Sequence, residues 1–292
     1  MKKIVILGCE NSHAEGFLDI IKNNAKFSDV EVIGVYSDEK EPCERIKSKY
    51  GVEIMESFDA ETGKVDGVIV TARHGDNHLK YALPYIKSGV PMFIDKPVTV
   101  SENEAVKLAR LLKESGVRVT GGSSLRFDPL VMRLAEEARA EEGGKTLGGF
   151  VSAPLASDST YGGFFFYAQH LCDIVGAIFG KYPRSVKAYA AGKQISVVFR
   201  YQDFDVTGEY IEHGYSLYSA FRVSETKITG SQLTLADNPC FYTEFDEFYK
   251  LLCGEKQSGS YKDFIAPVFV MNAIVRSLES GNEEKVNETE SI

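Results

Sequence analysis

The chain has 292 residues, of which 43% are hydrophobic and 26% charged, and its formal net charge is −9. This length suits one large or two medium domains, and the negative charge gives no support for binding nucleic acid or an anionic membrane. Five scattered cysteines without a C-x-x-C spacing favour reduced thiols in a cytoplasm, and no apolar stretch is long enough to span a membrane.

The first 122 residues alternate aliphatic runs with helical patterns. Strands are predicted at 4–7, 30–36, 65–70, 90–94 and 117–120, and helices from residue 13, at 39–49, at 77–87 and from 101 to 116. Ser12 and Glu15 have the spacing of a capping box, which predicts the start of the first helix. Strands that alternate with helices of this length predict parallel βαβ units, and hence a doubly wound Rossmann sheet over residues 1–122.

The pattern changes after this point. A helix is predicted at 129–142, followed by strands at 185–190, 194–201, 205–210, 215–223 and 225–235 with few helices between them. Helices at 242–252 and 266–279 and a frayed tail from residue 281 complete the chain. We therefore expect residues 123–292 to form an α+β domain with an open, mostly antiparallel sheet.

Lys96 follows the fourth predicted strand directly. Ligands bind beyond the carboxyl ends of the strands in open α/β sheets. Pro97 restricts the preceding backbone to an extended or turn conformation and leaves a cis bond open. This context predicts a lysine held rigidly at a ligand crevice, although an ordinary surface lysine at a strand end is the alternative.

The first βα turn departs from the dinucleotide fingerprint G-x-G-x-x-G. Gly8 is present, but Glu10 and His13 stand where the second and third glycines would fall. The helix N-terminus still offers free N–H groups to a phosphate, whereas the charge of Glu10 opposes a pyrophosphate unless it points away. His13 fits either a ligand contact or simple packing at the start of the helix.

The loops after the second and third strands border the same crevice. Asp38 and Glu39 favour NAD, because an acid there can bind the ribose 2′-hydroxyl, while Ser37 leaves NADP open and a solvated helix start is the alternative. Arg73 lies on the rim after the third strand. His78 lies inside the next helix, where a packing role is the more common one.

Residues 161–180 predict a buried helix with aromatic side chains on most faces. His170 and Asp173 are three residues apart and therefore share a face of this helix. A buried imidazole beside a carboxylate indicates a tuned acid/base or an oriented donor, and a core histidine satisfied by a local carboxylate is the alternative. No cluster has metal-ligand spacing, so no metal site is predicted.

Taken together, these segments resemble the Gfo/Idh/MocA family of oxidoreductases. The matching pieces are Gly8 after the first strand, Asn77-His78, Asp95-Lys96-Pro97 where the family has Glu-Lys-Pro, Arg126-Phe127-Asp128-Pro129, and Gly162-Gly163 followed by His170 and Asp173. They run in the family's order from residue 4 to about residue 180, and the β-rich remainder fits its second domain.

The resemblance implies hydride transfer between NAD or NADP, with NAD favoured, and a carbinol carbon of a sugar, cyclitol or related polyol. It implies that Lys96 polarises or helps to deprotonate the hydroxyl, that His170 is the acid/base, and that Asp173 supports His170. It also implies a homodimer or homotetramer paired through the open sheet. The residues expected to bind the cofactor lie near the ends of the Rossmann strands: Gly8, Glu10, Asn11, Ser12, His13, Ser37, Asp38, Thr71, Ala72, Arg73, His78, Asp95, Lys96 and Arg126.

Three features depart from the family pattern. Phe166 stands four residues before His170, where many members have an aspartate; the glycine turn is broken; and an aromatic run covers 164–167. The leading prediction is a cytoplasmic NAD(P)-dependent dehydrogenase. The alternatives are a non-catalytic protein that senses a nucleotide or sugar, and an enzyme that uses tightly bound NAD transiently for hydrolysis or epimerisation.

Overall fold

The computed structural model describes residues 1–212, 216–235 and 239–287. The first half is a five-stranded, all-parallel sheet with the strand order β2-β1-β3-β4-β5. Its strands are β1 (Lys2–Leu7), β2 (Val30–Tyr36), β3 (Gly67–Val70), β4 (Met92–Asp95) and β5 (Val119–Gly122). The strands read as apolar runs because helices cover both faces of such a sheet. The predicted doubly wound Rossmann architecture is confirmed.

Four helices connect these strands: α1 (Ser12–Asn23), α2 (Lys40–Tyr50), α3 (Asp76–Ser88) and α4 (Glu102–Ser115). Gly51 and Gly116 end α2 and α4 with φ angles of 74° and 64°, a left-handed conformation that glycine adopts without steric cost. Both helix ends were predicted from the sequence at these residues.

The predicted cap of α1 is wrong. Asn11 is the N-cap residue, and its side chain accepts a hydrogen bond from the backbone N–H of His13. Glu15 does not close a capping box, because its carboxylate pairs with Arg45 and Lys49 of α2. The cap therefore lies one residue earlier than predicted, and Ser12 and His13 belong to the first turn of α1.

The second half is a seven-stranded sheet with the order β11-β10-β6-β9-β8-β7-β12. Its strands are β6 (Thr146–Pro154), β7 (Ser185–Ala191), β8 (Gln194–Arg200), β9 (Asp205–Ile211), β10 (Ser219–Ser224), β11 (Ile228–Gln232) and β12 (Glu284–Lys285). Only the β6–β9 pair is parallel among these described strands, so the expected mostly antiparallel sheet is confirmed.

Two details of this sheet differ from the sequence prediction. β6 was not predicted, because Gly148 and Gly149 weaken its strand signal. The tail from residue 281 was expected to fray, but Glu284 and Lys285 pair with β7. Tyr215, the predicted start of β10, and residues 288–292 of the tail lie outside the described residues.

Four further helices are α5 (Pro129–Arg139), α6 (Phe165–Phe179), α7 (Cys240–Leu252) and α8 (Tyr261–Ser280). α5, α6 and α8 pack on one face of the second sheet. α7 instead returns to the first sheet, where Phe245 and Phe248 pack against Phe93 of β4 and its neighbours. The division at residues 1–122 and 123–292 stays a prediction. In the described part of the chain, no helix is long and apolar enough to cross a membrane.

Candidate active site

A crevice lies beyond the carboxyl ends of β1, β3 and β4, between the two sheets. Its volume is about 780 Å³, within the range of small-molecule sites. Both halves of the chain line it: Asn11, Ser12, His13, Arg73 and Lys96 from the first half, and residues 155–161, Phe166, Tyr167, His170 and Glu212 from the second. The crevice therefore forms only when both halves are folded against each other.

Lys96 enters this crevice directly after β4, and the Lys96–Pro97 bond is cis. The residue is 4% exposed, and its Nζ lies 4.7 Å from the ring centre of Phe166 and 5.4 Å from that of Tyr167. Burial lowers the pKa of the ammonium, and the nearby charge of Asp95 opposes this shift in part. Lys96 is thus a desolvated amine held over aromatic rings, fit to bind a substrate oxygen.

His170 reaches the same crevice from α6. It is 6% exposed, and its Nδ1 lies 2.6 Å from the hydroxyl oxygen of Ser123, which follows β5. Burial, and then the charges of Lys96 and His13, hold the pKa of His170 well below its ordinary value. The imidazole is therefore neutral.

Asp173 does not support His170 in the way that the sequence predicted. Its Oδ2 accepts hydrogen bonds from the backbone N–H of Ser123 at 2.8 Å and from Gln169 Nε2 at 3.0 Å. The loop after β5 enters between the two side chains, so Asp173 holds Ser123 rather than the imidazole ring. Asp173 lines a separate cavity of about 790 Å³ behind α6 and not the crevice.

Arg126 also belongs to that separate cavity. Its guanidinium stacks on Phe127 at 4.3 Å and donates to Thr120 Oγ1 at 3.3 Å. Arg126 does not line the crevice, and its expected role as a cofactor ligand stays a prediction.

Asp95 forms a buried cluster with the start of α1. Its side chain is 0% exposed and accepts hydrogen bonds from Asn11 Nδ2 at 3.0 Å and from the backbone N–H of Lys96 at 2.7 Å. His13 Nδ1 lies 2.9 Å from Asp95 Oδ2, an ion-pair distance whose angle falls short of a hydrogen bond. Burial favours a raised pKa for Asp95, but the charges of His13 and Lys96 outweigh it and the net shift is downward.

Glu10 points away from the crevice. Its carboxylate accepts hydrogen bonds from Ser37 Oγ at 2.6 Å and from the backbone N–H of Arg73 at 3.0 Å. The side chain is 8% exposed and is absent from the lining of the crevice. The carboxylate of Glu10, which was expected to oppose a pyrophosphate, is thus directed away from the crevice and bound by two hydrogen-bond donors.

Asp38 lies at the tip of β2, as predicted. It accepts a hydrogen bond from Tyr36 at 2.8 Å and lies 3.5 Å from Lys80 Nζ. Burial would raise its pKa, but hydrogen bonds from Tyr36 and Tyr81 and the charge of Lys80 lower it overall. The carboxylate is therefore ionised at the place where a ribose would lie.

The remaining predicted cofactor residues Gly8, Thr71, Ala72 and His78 do not line the crevice. A Cβ on Gly8, whose φ is +84°, would lie 2.2 Å from the backbone nitrogen of Ala72, so only glycine fits there. Thr71 Oγ1 donates to the carbonyl of Gly8 at 3.0 Å. His78 is corrected as a cofactor ligand, because it is fully buried with Nε2 2.8 Å from the Ala72 carbonyl and Nδ1 3.3 Å from that of Val98.

Two site residues were missed in the sequence. Ser123 holds His170, and its position just after β5 was the available signal, since ligand-facing residues follow strand ends. Tyr161 reaches across the crevice to the first half: Arg73 donates to its hydroxyl at 3.1 Å and lies over its ring at 5.1 Å. The sequence shows an aromatic residue before Gly162-Gly163, but it does not show that this residue contacts Arg73.

The residues present fit a nicotinamide dinucleotide. Ser12 and His13, in the first turn of α1, line the crevice, so the positive end of the helix dipole faces it, and the backbone N–H of His13 is already bonded to Asn11. Arg73 adds a positive charge on the rim, and Glu10 is turned aside. Among the described residues, no group of three or more potential ligands could hold a metal ion.

Comparison with known proteins agrees with this geometry. Residues 2–123 match the GFO_IDH_MocA family, described as an oxidoreductase family with an NAD-binding Rossmann fold. Over 158 residues the chain is 30% identical to scyllo-inositol 2-dehydrogenase (NAD(+)) of Bacillus subtilis (strain 168), covering 51% of this chain and 45% of that protein. The match thus spans less than half the length of that relative.

Two solved structures share the whole fold. Myo-inositol 2-dehydrogenase from Lactobacillus plantarum has a TM-score of 0.84 at 14% identity, covering 98% of this chain and 99% of that one. GenD2 from gentamicin A biosynthesis, in complex with NAD, has a TM-score of 0.81 at 18% identity, covering 98% and 97%. The resemblance seen in the sequence is confirmed: the chain carries the NAD-binding Rossmann domain of the Gfo/Idh/MocA oxidoreductases at residues 2–123.

Proposed function

We propose that this protein is a nicotinamide-dependent dehydrogenase that oxidises a secondary alcohol of a cyclitol or sugar-like polyol. The observation that carries the proposal is the meeting of Lys96 and His170, from different halves of the chain, in one crevice with the N-terminal turn of α1. The matched family supports a nicotinamide-dependent oxidoreductase, and the name of the Bacillus subtilis relative supports a cyclitol as the substrate class.

The bound cofactor would accept the hydride from the carbinol carbon. Ser12 and the positive end of the α1 dipole would hold its phosphates, with Arg73 on the rim. The ionised Asp38 favours NAD over NADP, because a carboxylate binds a ribose 2′-hydroxyl and repels a 2′-phosphate.

Lys96 and His170 would contact the reacting hydroxyl. The ammonium of Lys96 attracts the oxygen and stabilises negative charge that develops as the proton leaves. The neutral His170 supplies a hydrogen bond that orients the same hydroxyl. Phe166 and Tyr167, which face Lys96, exclude water and offer flat surfaces to the C–H face of a sugar or cyclitol ring.

The test is an activity screen of the wild-type protein, followed by a comparison of its kcat with that of a Lys96 variant. Thermal shift with NAD, NADH, NADP and NADPH identifies the cofactor, since a ligand at a hundredfold excess over Kd stabilises the native state by about 2.7 kcal/mol. Cyclitols and sugars are then screened by the near-ultraviolet absorbance of the reduced cofactor. We expect turnover with NAD and a cyclitol.

Lys96→Ala should lower kcat by at least about a hundredfold, because the group that polarises the hydroxyl is gone. Its melting temperature should change little, because the removal of a desolvated ammonium is offset by the loss of its attraction to the buried Asp95. Lys64→Ala is the matched control, since the Lys64 side chain is 63% exposed and lies outside the crevice. An unchanged kcat in Lys96→Ala would exclude its catalytic role.

Two results would favour the alternatives. Absence of any cofactor shift, with no cofactor already bound, would indicate a non-catalytic protein on this fold. Cofactor that stays bound through purification without net NADH release would indicate transient use of NAD in hydrolysis or epimerisation.

A further inference from the structure

His13 is a second histidine in the crevice, beside His170. It is the second residue of α1, is 7% exposed, and lines the crevice together with Lys96 and His170. Its Nδ1 lies 2.9 Å from Asp95 Oδ2. Because Asn11 and the backbone of Lys96 also hold Asp95, this carboxylate is fixed beside the imidazole.

The carboxylate decides which nitrogen of His13 carries the proton. Both oxygens of Asp95 accept hydrogen bonds, Oδ2 from Asn11 Nδ2 and Oδ1 from the backbone N–H of Lys96, so the side chain presents a carboxylate to His13. An ionised carboxylate only accepts, and at 2.9 Å the negative charge of Oδ2 would repel a lone pair on Nδ1. The proton of the neutral ring therefore lies on Nδ1, and Nε2 carries the lone pair.

The ring of His13 is also held in place. Phe241 packs edge-to-face against it at 4.6 Å and Phe17 at 6.3 Å. Nε2 has no hydrogen-bond partner within residues 1–212, 216–235 and 239–287. Unlike Nδ1, it is not fully enclosed by protein atoms. Nε2 is therefore the basic nitrogen that a ligand in the crevice can reach.

His170 lacks this arrangement. Its Nδ1 partner is the hydroxyl of Ser123, which can donate or accept and so does not fix the tautomer. Position 166, one helical turn earlier, is phenylalanine, and Asp173 bonds elsewhere. Of the two crevice histidines, only His13 has a carboxylate at its ring to stabilise an imidazolium.

We propose that His13 is the general acid/base of the crevice and that Asp95 is its positioning residue. This inference rests on the proposed dehydrogenase function and names its proton acceptor. In oxidation, the substrate O–H bond breaks and its proton passes to His13 Nε2. The oxygen electrons form the C=O bond as the hydride leaves the same carbon for the cofactor. Asp95 balances the imidazolium charge, and reduction reverses these steps.

The first test does not depend on turnover. Nitrogen NMR of the histidine rings, with His13 assigned by its absence in His13→Gln, reports the tautomer directly. We expect a neutral His13 with the proton on Nδ1, and a mixture of tautomers in Asp95→Asn. A native His13 with its proton on Nε2 would overturn the proposal even if no substrate had been found, whereas the expected tautomer without turnover would count only against the proposed function.

The second test is kinetic, once a substrate is known. His13→Gln should lower kcat by at least about a hundredfold with little change in the cofactor Kd, and Asp95→Asn should show a loss of the same order or more. His74→Gln is the matched control, because His74 is a loop histidine outside the crevice. A His13→Gln variant with the wild-type kcat and a weakened cofactor Kd would make His13 a phosphate ligand and overturn the proposal.

The pH dependence separates a proton-transfer role from a structural one. Asp95 at the end of β4 and His170 on α6 interact electrostatically with His13. The other charged groups of the crevice are Lys96, Arg73, Asp158 and Glu212. The wild-type rate should fall on the acid side as the base is protonated, and this limb should disappear in His13→Gln. An identical acid limb in both proteins would contradict the assignment.

Discussion

Glu244 on α7 is a buried carboxyl group near the crevice. It is 0% exposed, and neither of its oxygens has a hydrogen-bond partner among the described residues. Burial, and then the charge of Asp95, raise its pKa well above its ordinary value. A group whose pKa is raised by folding contributes stability below its unfolded pKa, and this contribution is lost as the pH rises through the folded pKa.

We therefore expect Glu244→Gln to stabilise the protein relative to wild type in alkaline buffer but not in acid. Glutamine has nearly the same shape and cannot ionise, so it avoids the cost of a buried charge. The measurement is the melting temperature of both proteins at about pH 5 and about pH 8. Glu255→Gln, at an exposed site just after α7, is the control. If the melting temperature of Glu244→Gln lies below that of the wild type by the same amount at both pH values, this account is refuted.

The sequence located the catalytic candidates but not their partners. Lys96 and His170 could be singled out because one follows a predicted strand directly and the other shares a face of a predicted buried helix with Asp173. The Ser123–His170 and Asp95–His13 contacts could not, because they join strand ends and helices that lie far apart in the chain. The spacing on α6 suggested that Asp173 supports His170, but Ser123, in the loop after β5, is the residue that contacts the imidazole.

At the scale of elements, α7 ties the second half of the chain to the first sheet. The ring of Phe245 lies edge-to-face against Phe27 at 4.8 Å and close to Phe17 at 5.6 Å. Gly67 of β3 has no side chain because a Cβ there would lie 2.4 Å from Leu252. α7 therefore completes the core on one face of the Rossmann sheet.

Phe245→Ala should lower the free energy of unfolding by about 3–5 kcal/mol, because it removes a fully buried ring from this cluster. Chemical denaturation followed by far-ultraviolet circular dichroism measures the loss. Tyr189→Ala is the control, since Tyr189 is 56% exposed and such substitutions usually change stability by no more than about 0.5 kcal/mol. A loss below about 1 kcal/mol would show that α7 is not part of the core of the first sheet.

Element positions in the first half were predictable because aliphatic runs mark strands that are buried on both faces. β2 was predicted with its observed ends, and the other strands within about two residues. The destination of α7 was not predictable. Its apolar stripe showed that one face is buried, but periodicity does not say which sheet the face meets.

At the scale of the whole molecule, the second sheet has one face without helices. Residues alternate along its strands, and those on the inner face are buried under α5, α6 and α8. The partly exposed outer residues include several large apolar side chains, namely Phe150, Val198, Ile211, Phe221 and Val223. Phe150 and Phe221 are neighbours on adjacent strands, with ring centres 6.5 Å apart.

We expect this apolar patch on the open sheet to be an interaction surface. The homodimer or homotetramer expected from the sequence would bury it by pairing two copies sheet to sheet. We therefore expect light scattering after gel filtration to give the mass of a dimer or tetramer, and Phe221→Lys to give a monomer. The reason is that a partly exposed lysine costs little in a monomer, whereas a paired interface would have to desolvate two ammonium groups.

Met132→Lys is the matched control, since Met132 is 49% exposed on α5 and lies on the opposite side of the sheet. Its mass should equal that of the wild type. Cofactor binding should survive in both variants, because the crevice is built within one copy of the chain. A wild-type protein that is monomeric at all concentrations would show that no such oligomer forms. A Phe221→Lys variant that keeps the mass of an oligomeric wild type would show that the contact lies elsewhere.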